Sequence, residues 1–457
     1  MKKIKIKIIY FIILLFIVFI IFGLFLIGQD TSNKFTKKIK DNTPIKIKIL
    51  LKNTIFYIPI KIREYKKNET QIEKLKKENR KLQYEKIYFQ NKLEFGRSNE
   101  KIIKSKKSKY KLNEFILPFF SDSNIFDNDK KGYLEIYKNK IIVFFGSGKS
   151  IQVDIDELNK NNFDYKEIKN NILSNDYFDN QILWTGIKDI KVKKNKIYLS
   201  LTKAFSNECY NTVLYYSTLN FVKLNFKEIN LNNECANISK GLNSYPTFKN
   251  FNGYQNGGRI VITEKNILLT LGDYNQWNLV QKDQSLFGKI IKINKSTLKH
   301  SIISKGHRNQ QGMYNLGNSK IIVSEHGPKG GDEINIINID SSKIPNYGWP
   351  ISSYGEHYDS VPLNREIKKI APLNKNHKDY GFIEPIFYFD KSIGVSEIIK
   401  NYFSKSNSYF ITSLKNKTIY EIVFDENFEN PKVRDEINIG ERIRDIVYDK
   451  KLNRYYL

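Results

Sequence analysis

From about residue 112 onward, short runs rich in Ile, Val, Tyr and Phe alternate with clusters of Asn, Asp, Gly and Ser. Residues 141–145, 197–201, 259–263, 267–271, 320–324, 409–412 and 418–423 are examples. Runs of about four to six residues bounded by turn formers predict strands joined by tight turns. No long 3.6-residue period interrupts them, so the expected fold class is all-β. About 345 residues of meandering strands exceed a single sandwich, and a propeller of four-stranded blades accommodates that length. The internal repeat is too weak for the blades to be counted from it.

The first hundred residues follow other periods. Residues 8–27 are 20 consecutive positions without a charge, nearly all Ile, Leu, Phe or Val. That length suits a helix crossing a bilayer core of about 30 Å. A cleaved leader has a shorter apolar run and a small-residue cleavage site, so an uncleaved anchor is expected. Lys2, Lys3, Lys5 and Lys7 precede the run. They put the N-terminus inside and the rest on the periplasmic or extracellular side of the membrane. Residues 45–62 alternate Ile with Lys, and interfacial and strand-like readings both stand. Over residues 65–93, Tyr65, Ile72, Asn79, Lys86 and Leu93 share one heptad position, and Asn68, Leu75, Leu82 and Phe89 share the other. A short coiled coil, which would make a homo-oligomer, and a solvated single helix fit equally. Residues 101–111 hold six Lys and read as a linker. The expected organisation is therefore a basic tip and anchor at 1–28, a lysine-rich stem at 29–111 and the propeller at 112–457.

Composition narrows the function. The net charge is +28, but only ten of the 76 basic residues are Arg, and Lys is spread along the whole chain. No helix-turn-helix, zinc or RNA-binding signature accompanies the charge, so nucleic acid is not the expected partner. Two Cys without a CxxC exclude a Cys-only zinc or iron–sulfur site. Cys209 and Cys235 make one disulfide in an exported domain and two thiols in the cytosol. Gly146-Ser147-Gly148-Lys149-Ser150 lacks the first glycine of a phosphate loop and sits among strands. The five His show no HExxH or other paired spacing.

Four loop segments concentrate costly residues: Asn256-Gly257-Gly258-Arg259, the run 306–312 (GHRNQQG), the run 325–333 (EHGPKGGDE), and Arg442-Ile443-Arg444-Asp445. Asn346-Tyr347-Gly348-Trp349-Pro350 adds an apolar fifth. Seven Arg lie beyond residue 112, and four of them fall in these segments. Arg presents a planar fork to carboxylates that Lys cannot match, so the set reads as an anion site. Arg442 and Arg444 are expected to alternate on a strand, so that both point to the same face. The Gly-Pro and Gly-Gly turns let backbone carbonyls converge on a hard cation.

In order and spacing these motifs resemble the quinoprotein glucose/sorbosone dehydrogenase family, over roughly 112–457. The resemblance implies a six-bladed propeller that binds pyrroloquinoline quinone (PQQ) and Ca²⁺ at the top of its central channel and oxidises a sugar. It implies cofactor contacts from Arg308 and Asn309, from Lys415 in Ser413-Leu414-Lys415, and from Arg442 and Arg444. The carbonyls of Gly327 and Pro328 would hold the Ca²⁺, and Asp273 in Leu271-Gly272-Asp273 would orient the catalytic base.

The base itself departs from the pattern. The family has a His shortly before Gly-Arg, whereas this chain reads Tyr254-Gln255-Asn256-Gly257-Gly258-Arg259. Tyr254 or Gln255 holds that position. Gln cannot serve as a base, and Tyr, at about pKa 10, needs a strong downward shift. A propeller that has lost its base and binds a carbohydrate or a protein is therefore the competing expectation.

Overall fold

The computed structural model describes residues 57–94, 98–117, 131–159, 164–172, 186–206, 209–231, 234–237, 254–359, 361 and 363–457. A single helix, α1 (Tyr57–Glu94), covers the heptad region. It begins earlier than the heptads, with Pro59 in its first turn, where a missing N–H costs nothing. Its apolar positions Tyr65, Ile72, Leu75, Leu82 and Phe89 are exposed.

The anchor expected at residues 8–27 lies outside the described residues. Among the described residues no helix is long and apolar enough to cross a membrane. The transmembrane helix and the single-pass membrane placement are therefore not supported. α1 has the length but carries Lys and Glu throughout.

Residues 101–111 do not form a linker. They belong to an antiparallel hairpin of β1 (Ser98–Lys104) and β2 (Lys109–Phe115). Ile103, Tyr110 and Leu112 turn towards the interior. Lys101 pairs across the hairpin with Glu114, and Lys111 with Glu100 at 2.7 Å. Of the lysines that suggested a linker, Lys104, Lys109 and Lys111 lie on the outer face of the two strands, Lys101 shares the inner face with Ile103, and Lys106 and Lys107 lie in the turn.

Blade one is β3 (Gly132–Tyr137), β4 (Lys140–Phe145), β5 (Ser150–Asp154) and β6 (Lys166–Glu167). A short β7 (Lys169–Asn170) follows. Blade two is β8 (Gly186–Lys193), β9 (Lys196–Ser206), β10 (Cys209–Thr218) and, after β11 (Lys223–Leu224), β12 (Lys227–Ile229), with β13 (Ala236–Asn237) also paired to β10. β7 and β11 pair in parallel. Blade three is β14 (Gly257–Ile262), β15 (Asn266–Leu271), β16 (Lys289–Asn294) and β17 (His300–Lys305). Blade four is β18 (Gln310–Gly317), β19 (Lys320–Glu325), β20 (Asp332–Asn338) and β21 (Phe387–Phe389). Blade five is β22 (Val395–Lys400), β23 (Ser408–Ser413), β24 (Thr418–Val423) and β25 (Lys432–Asn438). The chain ends in a two-stranded hairpin, β26 (Val447–Asp449) and β27 (Arg454–Tyr456).

The all-β propeller expected from the sequence is present, and among the described residues it has five blades instead of six. Two hairpins pack where blade five meets blade one. Ile103, Tyr110, Leu112 and Tyr455 pack with Phe410, Ile437 and Ile443 of the blade-five side. Phe115, Leu117, Val447 and Tyr456 pack with Leu134 and Val153 of blade one.

The first strands of the blades are tied to one another by buried acids. Asp189 Oδ2 on β8 accepts from Ile260 N on β14 at 2.7 Å. Glu397 Oε1 on β22 accepts from Met313 N on β18 at 3.1 Å. Asp445 Oδ2 accepts from Leu134 N on β3 at 2.7 Å. Arg259, 2% exposed, joins all three, its Nη1 lying 3.3 Å from Asp189, 3.0 Å from Glu397 and 3.2 Å from Asp445. The arginine of the Gly-Gly-Arg motif is thus a structural hub and not part of an open anion site. A disulfide, Cys209–Cys235, with Cα atoms 4.9 Å apart, pins the start of β10 to the segment that carries β13.

Candidate functional site

Three of the sequence motifs meet through their backbones. Gln255 has a left-handed φ of 59°, which turns the chain into β14. Tyr274 N donates to Gln255 O at 3.0 Å and Gly272 N to Asn256 O at 3.1 Å. The approach is so close that a Cβ on Gly272 would lie 2.0 Å from Gln255 O, so position 272 must be glycine. Asp273 N donates to Arg308 O at 2.8 Å. Residues 255, 273 and 308 are thereby fixed side by side at the same end of blades three and four.

Their side chains form one chain of contacts. Asp273 is fully buried. Its carboxylate accepts from Trp349 Nε1 at 2.6 Å and Asn275 N at 2.8 Å. With the Gln255 amide turned nitrogen-first to Asp273, Nε2 lies 2.8 Å from Asp273 Oδ1 and Oε1 lies 2.6 Å from Arg308 Nη2. Burial raises the Asp273 pKa to about 7, against the lowering pull of Arg308 and of its hydrogen bonds. The Arg308 guanidinium also lies over the Trp349 ring, 5.3 Å from its centroid. Its buried Nε has no hydrogen-bond partner.

The next loop carries the site to blade five. Asn309 Oδ1 accepts from Gly257 N at 3.1 Å and Gln311 Nε2 at 3.0 Å, while Asn309 O accepts from His326 N at 3.0 Å. Asp332, fully buried, accepts from Gly327 N on one oxygen. Its other oxygen accepts from Ile393, Gly394 and Val395 N. Lys415 N in turn donates to Ile393 O at 3.0 Å, and Arg442 Nη1 donates to Leu414 O at 3.2 Å. Residues 308, 326, 415 and 442 thus belong to one connected set of loops.

Electrostatics agree with that placement. The His326 imidazole is pushed down to about pKa 3, first by burial and then by the charges of Arg308, Arg444 and Arg442. Burial and Arg444 also lower Arg442 from its ordinary value. Cations this close raise one another's free energy unless an anion joins them. His326 stands inside the 325–333 motif, and the sequence alone assigns it no role. Its own flanking residues carry no hint of the three guanidiniums, which arrive from other loops.

A model described as glucose/sorbosone dehydrogenase matches residues 184–456. The chain belongs to the glucose/sorbosone dehydrogenase family. Aldose sugar dehydrogenase YliI of Escherichia coli (strain K12) is 33% identical over 216 residues, 42% of this chain and 53% of that protein. The chain therefore spans about half the length of that relative. Quinoprotein glucose dehydrogenase B of Acinetobacter calcoaceticus is 40% identical over 77 residues, 15% of each chain. The solved structure of the soluble aldose sugar dehydrogenase from Escherichia coli, in its apo-form, aligns with a TM-score of 0.56 at 20% identity. That alignment covers 79% of this chain and 95% of the other, and it supports the fold.

Against the expectations for a glucose/sorbosone dehydrogenase, the structure sorts the residues. Gln255 contacts Asp273 and Arg308. Arg308, Asn309, Arg442, Arg444 and the loop of Lys415 converge. The cation pair does not. Gly327 O already accepts from Arg308 Nη1 at 2.7 Å, and Pro328 O from Tyr358 Oη at 3.0 Å and Ser392 Oγ at 2.9 Å. A guanidinium against one carbonyl and two hydroxyl donors on the other leave no open oxygen pair. Among the described residues no group of three or more His, Cys, Asp or Glu forms a metal site. The residues fit an acidic ligand and do not fit Ca²⁺.

Proposed function

We infer that this chain is a sugar dehydrogenase that takes PQQ as its redox group and oxidises an aldose or a related hydroxyl compound. The observation that carries this reading is that the charges of Arg308, Arg442 and Arg444 all act on the half-buried His326 imidazole. A ligand with several carboxylates relieves that repulsion, and PQQ carries three. The quinoprotein name of the Acinetobacter relative and the aldose sugar name of the Escherichia coli relative point the same way. When bound, PQQ supplies a quinone able to take up the hydride of a hydroxyl-bearing carbon.

The chain's own residues do the rest. Arg308, Asn309, Lys415, Arg442 and Arg444 hold and orient the acidic ligand. Trp349 walls the pocket beneath the Arg308 guanidinium. Gln255 joins Asp273 to Arg308 and so fixes the guanidinium fork. Gln255 cannot take the substrate's hydroxyl proton, and loss of a positioned base costs on the order of 10² to 10⁴ in rate.

That substitution favours a second reading, a catalytically impaired propeller that binds a carbohydrate or protein partner. Titrating the full chain with PQQ and following dye reduction with several aldoses separates the two. Binding with turnover supports the dehydrogenase. Binding without turnover, in the natural chain and in Gln255→His alike, supports the binding module. Absence of PQQ binding at micromolar concentration overturns the enzyme. We also assign the exposed apolar stripe of α1 to homo-oligomerisation.

A further inference from the structure

Trp349 is gripped by a segment that no sequence motif marks. A one-turn helix, α2 (Trp277–Val280), follows Asp273 and ends at Gln281. Trp277 and Trp349 are both buried. The segment meets Trp349 at three points. Asp273, at its start, accepts from the indole Nε1 at 2.6 Å. The Trp277 ring stands edge-on to the Trp349 ring, with centroids 5.8 Å apart. Gln281, at its end, donates from Nε2 to Trp349 O at 2.6 Å. On the other side, Trp349 N donates to Gly306 O at 3.0 Å, two residues before Arg308.

The Gln281 amide is itself held in place. Its Oε1 accepts from Asn346 Nδ2 at 2.7 Å, and its Nε2 lies 3.3 Å from Asn346 Oδ1. That same Oδ1 accepts from Gly348 N at 3.1 Å. Two facing amides thus fix each other and fasten the turn 346–349 to the end of α2 at its first and last residues. The space is tight: a Cβ on Gly306 would lie 2.2 Å from Asn346 Oδ1. With its backbone N and O both engaged, Trp349 keeps only its two side-chain torsions. In the setting observed, the indole donates to Asp273 and lies under the Arg308 guanidinium, 5.3 Å from the ring centroid.

We propose that Gln281 is a positioning residue of the candidate site: through Trp349 O it sets the indole that holds Asp273 and underlies Arg308, and so pre-organises the guanidinium for an acidic ligand. This rests on the reading of the pocket as a site for a polycarboxylate such as PQQ. Gln281 acts through Trp349 and not by touching the ligand. Without its hydrogen bonds the turn and the indole gain conformers, and the ligand must order them at a cost in affinity.

Two variants of the full chain test this. Gln281→Met removes the donor and the acceptor at similar length. Gln281→Glu keeps an acceptor for Asn346 Nδ2 but turns a charged oxygen towards Trp349 O. When protonated, that carboxyl regains a donor, and the carbonyl oxygens facing it favour the protonated form. The chain has three Trp, so ¹⁵N-tryptophan labelling gives few indole signals, and Trp349→Phe assigns the one that matters. In Gln281→Met we expect the Trp349 Nε1–H signal to move upfield and to exchange faster with solvent. Affinity for PQQ, and for the quinone-free probe benzene-1,3,5-tricarboxylate, should fall about tenfold. Measured against the natural chain at each pH, Gln281→Glu should recover both signal and affinity as pH falls from about 8 to about 5, whereas Gln281→Met should not. That recovery separates a hydrogen-bonding role from loss of packing, and it carries the test alone if Gln281→Met fails to fold. An indole signal unmoved in both variants overturns the proposal, as does a moved signal with unchanged affinity, or a Gln281→Glu that does not recover. If the tricarboxylate binds and responds as expected while PQQ does not bind the natural chain, the PQQ reading fails and the role of Gln281 stands. If neither probe binds the natural chain, both fail.

Discussion

Position 255 decides what the pocket can do. Three backbone hydrogen bonds and a glycine without room for a Cβ force residues 255, 273 and 308 together, whatever side chain 255 carries. A histidine there would face the Asp273 carboxylate directly, and the carboxylate would favour its charged form. Gln255→His is therefore expected to raise dye reduction by PQQ-loaded protein by about 10²- to 10⁴-fold. An unchanged rate with PQQ still bound would remove position 255 from the chemistry. Arg259 makes a contrasting case. It is an arginine of a site motif, but its charge is spent on Asp189, Glu397 and Asp445 in the interior. Removing one partner of a buried ion cluster leaves uncompensated charge, so Arg259→Met should cost about 3–5 kcal/mol in urea unfolding. A loss below about 1 kcal/mol would mean that water or a proton replaces the guanidinium.

At the scale of elements, much of the molecule could be read from the chain. Six of the seven apolar runs fall wholly in strands, and the seventh, 259–263, overruns β14 only by Thr263. Loops 306–312, 325–333 and 442–445 were legible because Gly, Arg and Pro are costly there and have few structural excuses. Asp189 and Glu397 were not, because a lone acid in a strand gains its meaning from the burial and the Arg259 guanidinium that folding supplies. Residues 101–111 misled for the opposite reason: alternating lysines resemble a linker until their glutamate partners are seen across the hairpin. Cys209 and Cys235 stood open as bonded or free, and they are bonded. Closing a loop of that length restricts the unfolded chain by about 3 kcal/mol, so reduction should lower the unfolding midpoint accordingly. For α1, Ile72, Leu75, Leu82 and Phe89 form the exposed stripe. Sedimentation of the full chain should show an oligomer that Leu75→Lys and Leu82→Lys dissociate; a monomeric natural chain would reject pairing through the stem.

The blade count belongs to the whole molecule, because similar strands make either number and only the closure of the ring decides. Here closure falls to two hairpins, one from each side of the propeller sequence, and to acids that reach from one inner strand to the next. Those acids give the propeller a pH signature. Burial pushes Glu397 up to about 7, against the pull of Arg259 and Lys191, and it also raises Asp189. In the unfolded chain a glutamate titrates near pKa 4.3. A folded pKa above the unfolded one means that the native state binds the proton more tightly. The contribution is complete below about pH 4 and is lost as pH rises through about 7. The urea midpoint should therefore fall between about pH 5 and pH 8, and Glu397→Gln, which cannot ionise, should flatten that fall. A midpoint that rises over the same range, or a slope the variant leaves unchanged, would show that Glu397 is already ionised in the native state and that the Arg259 hub compensates it fully.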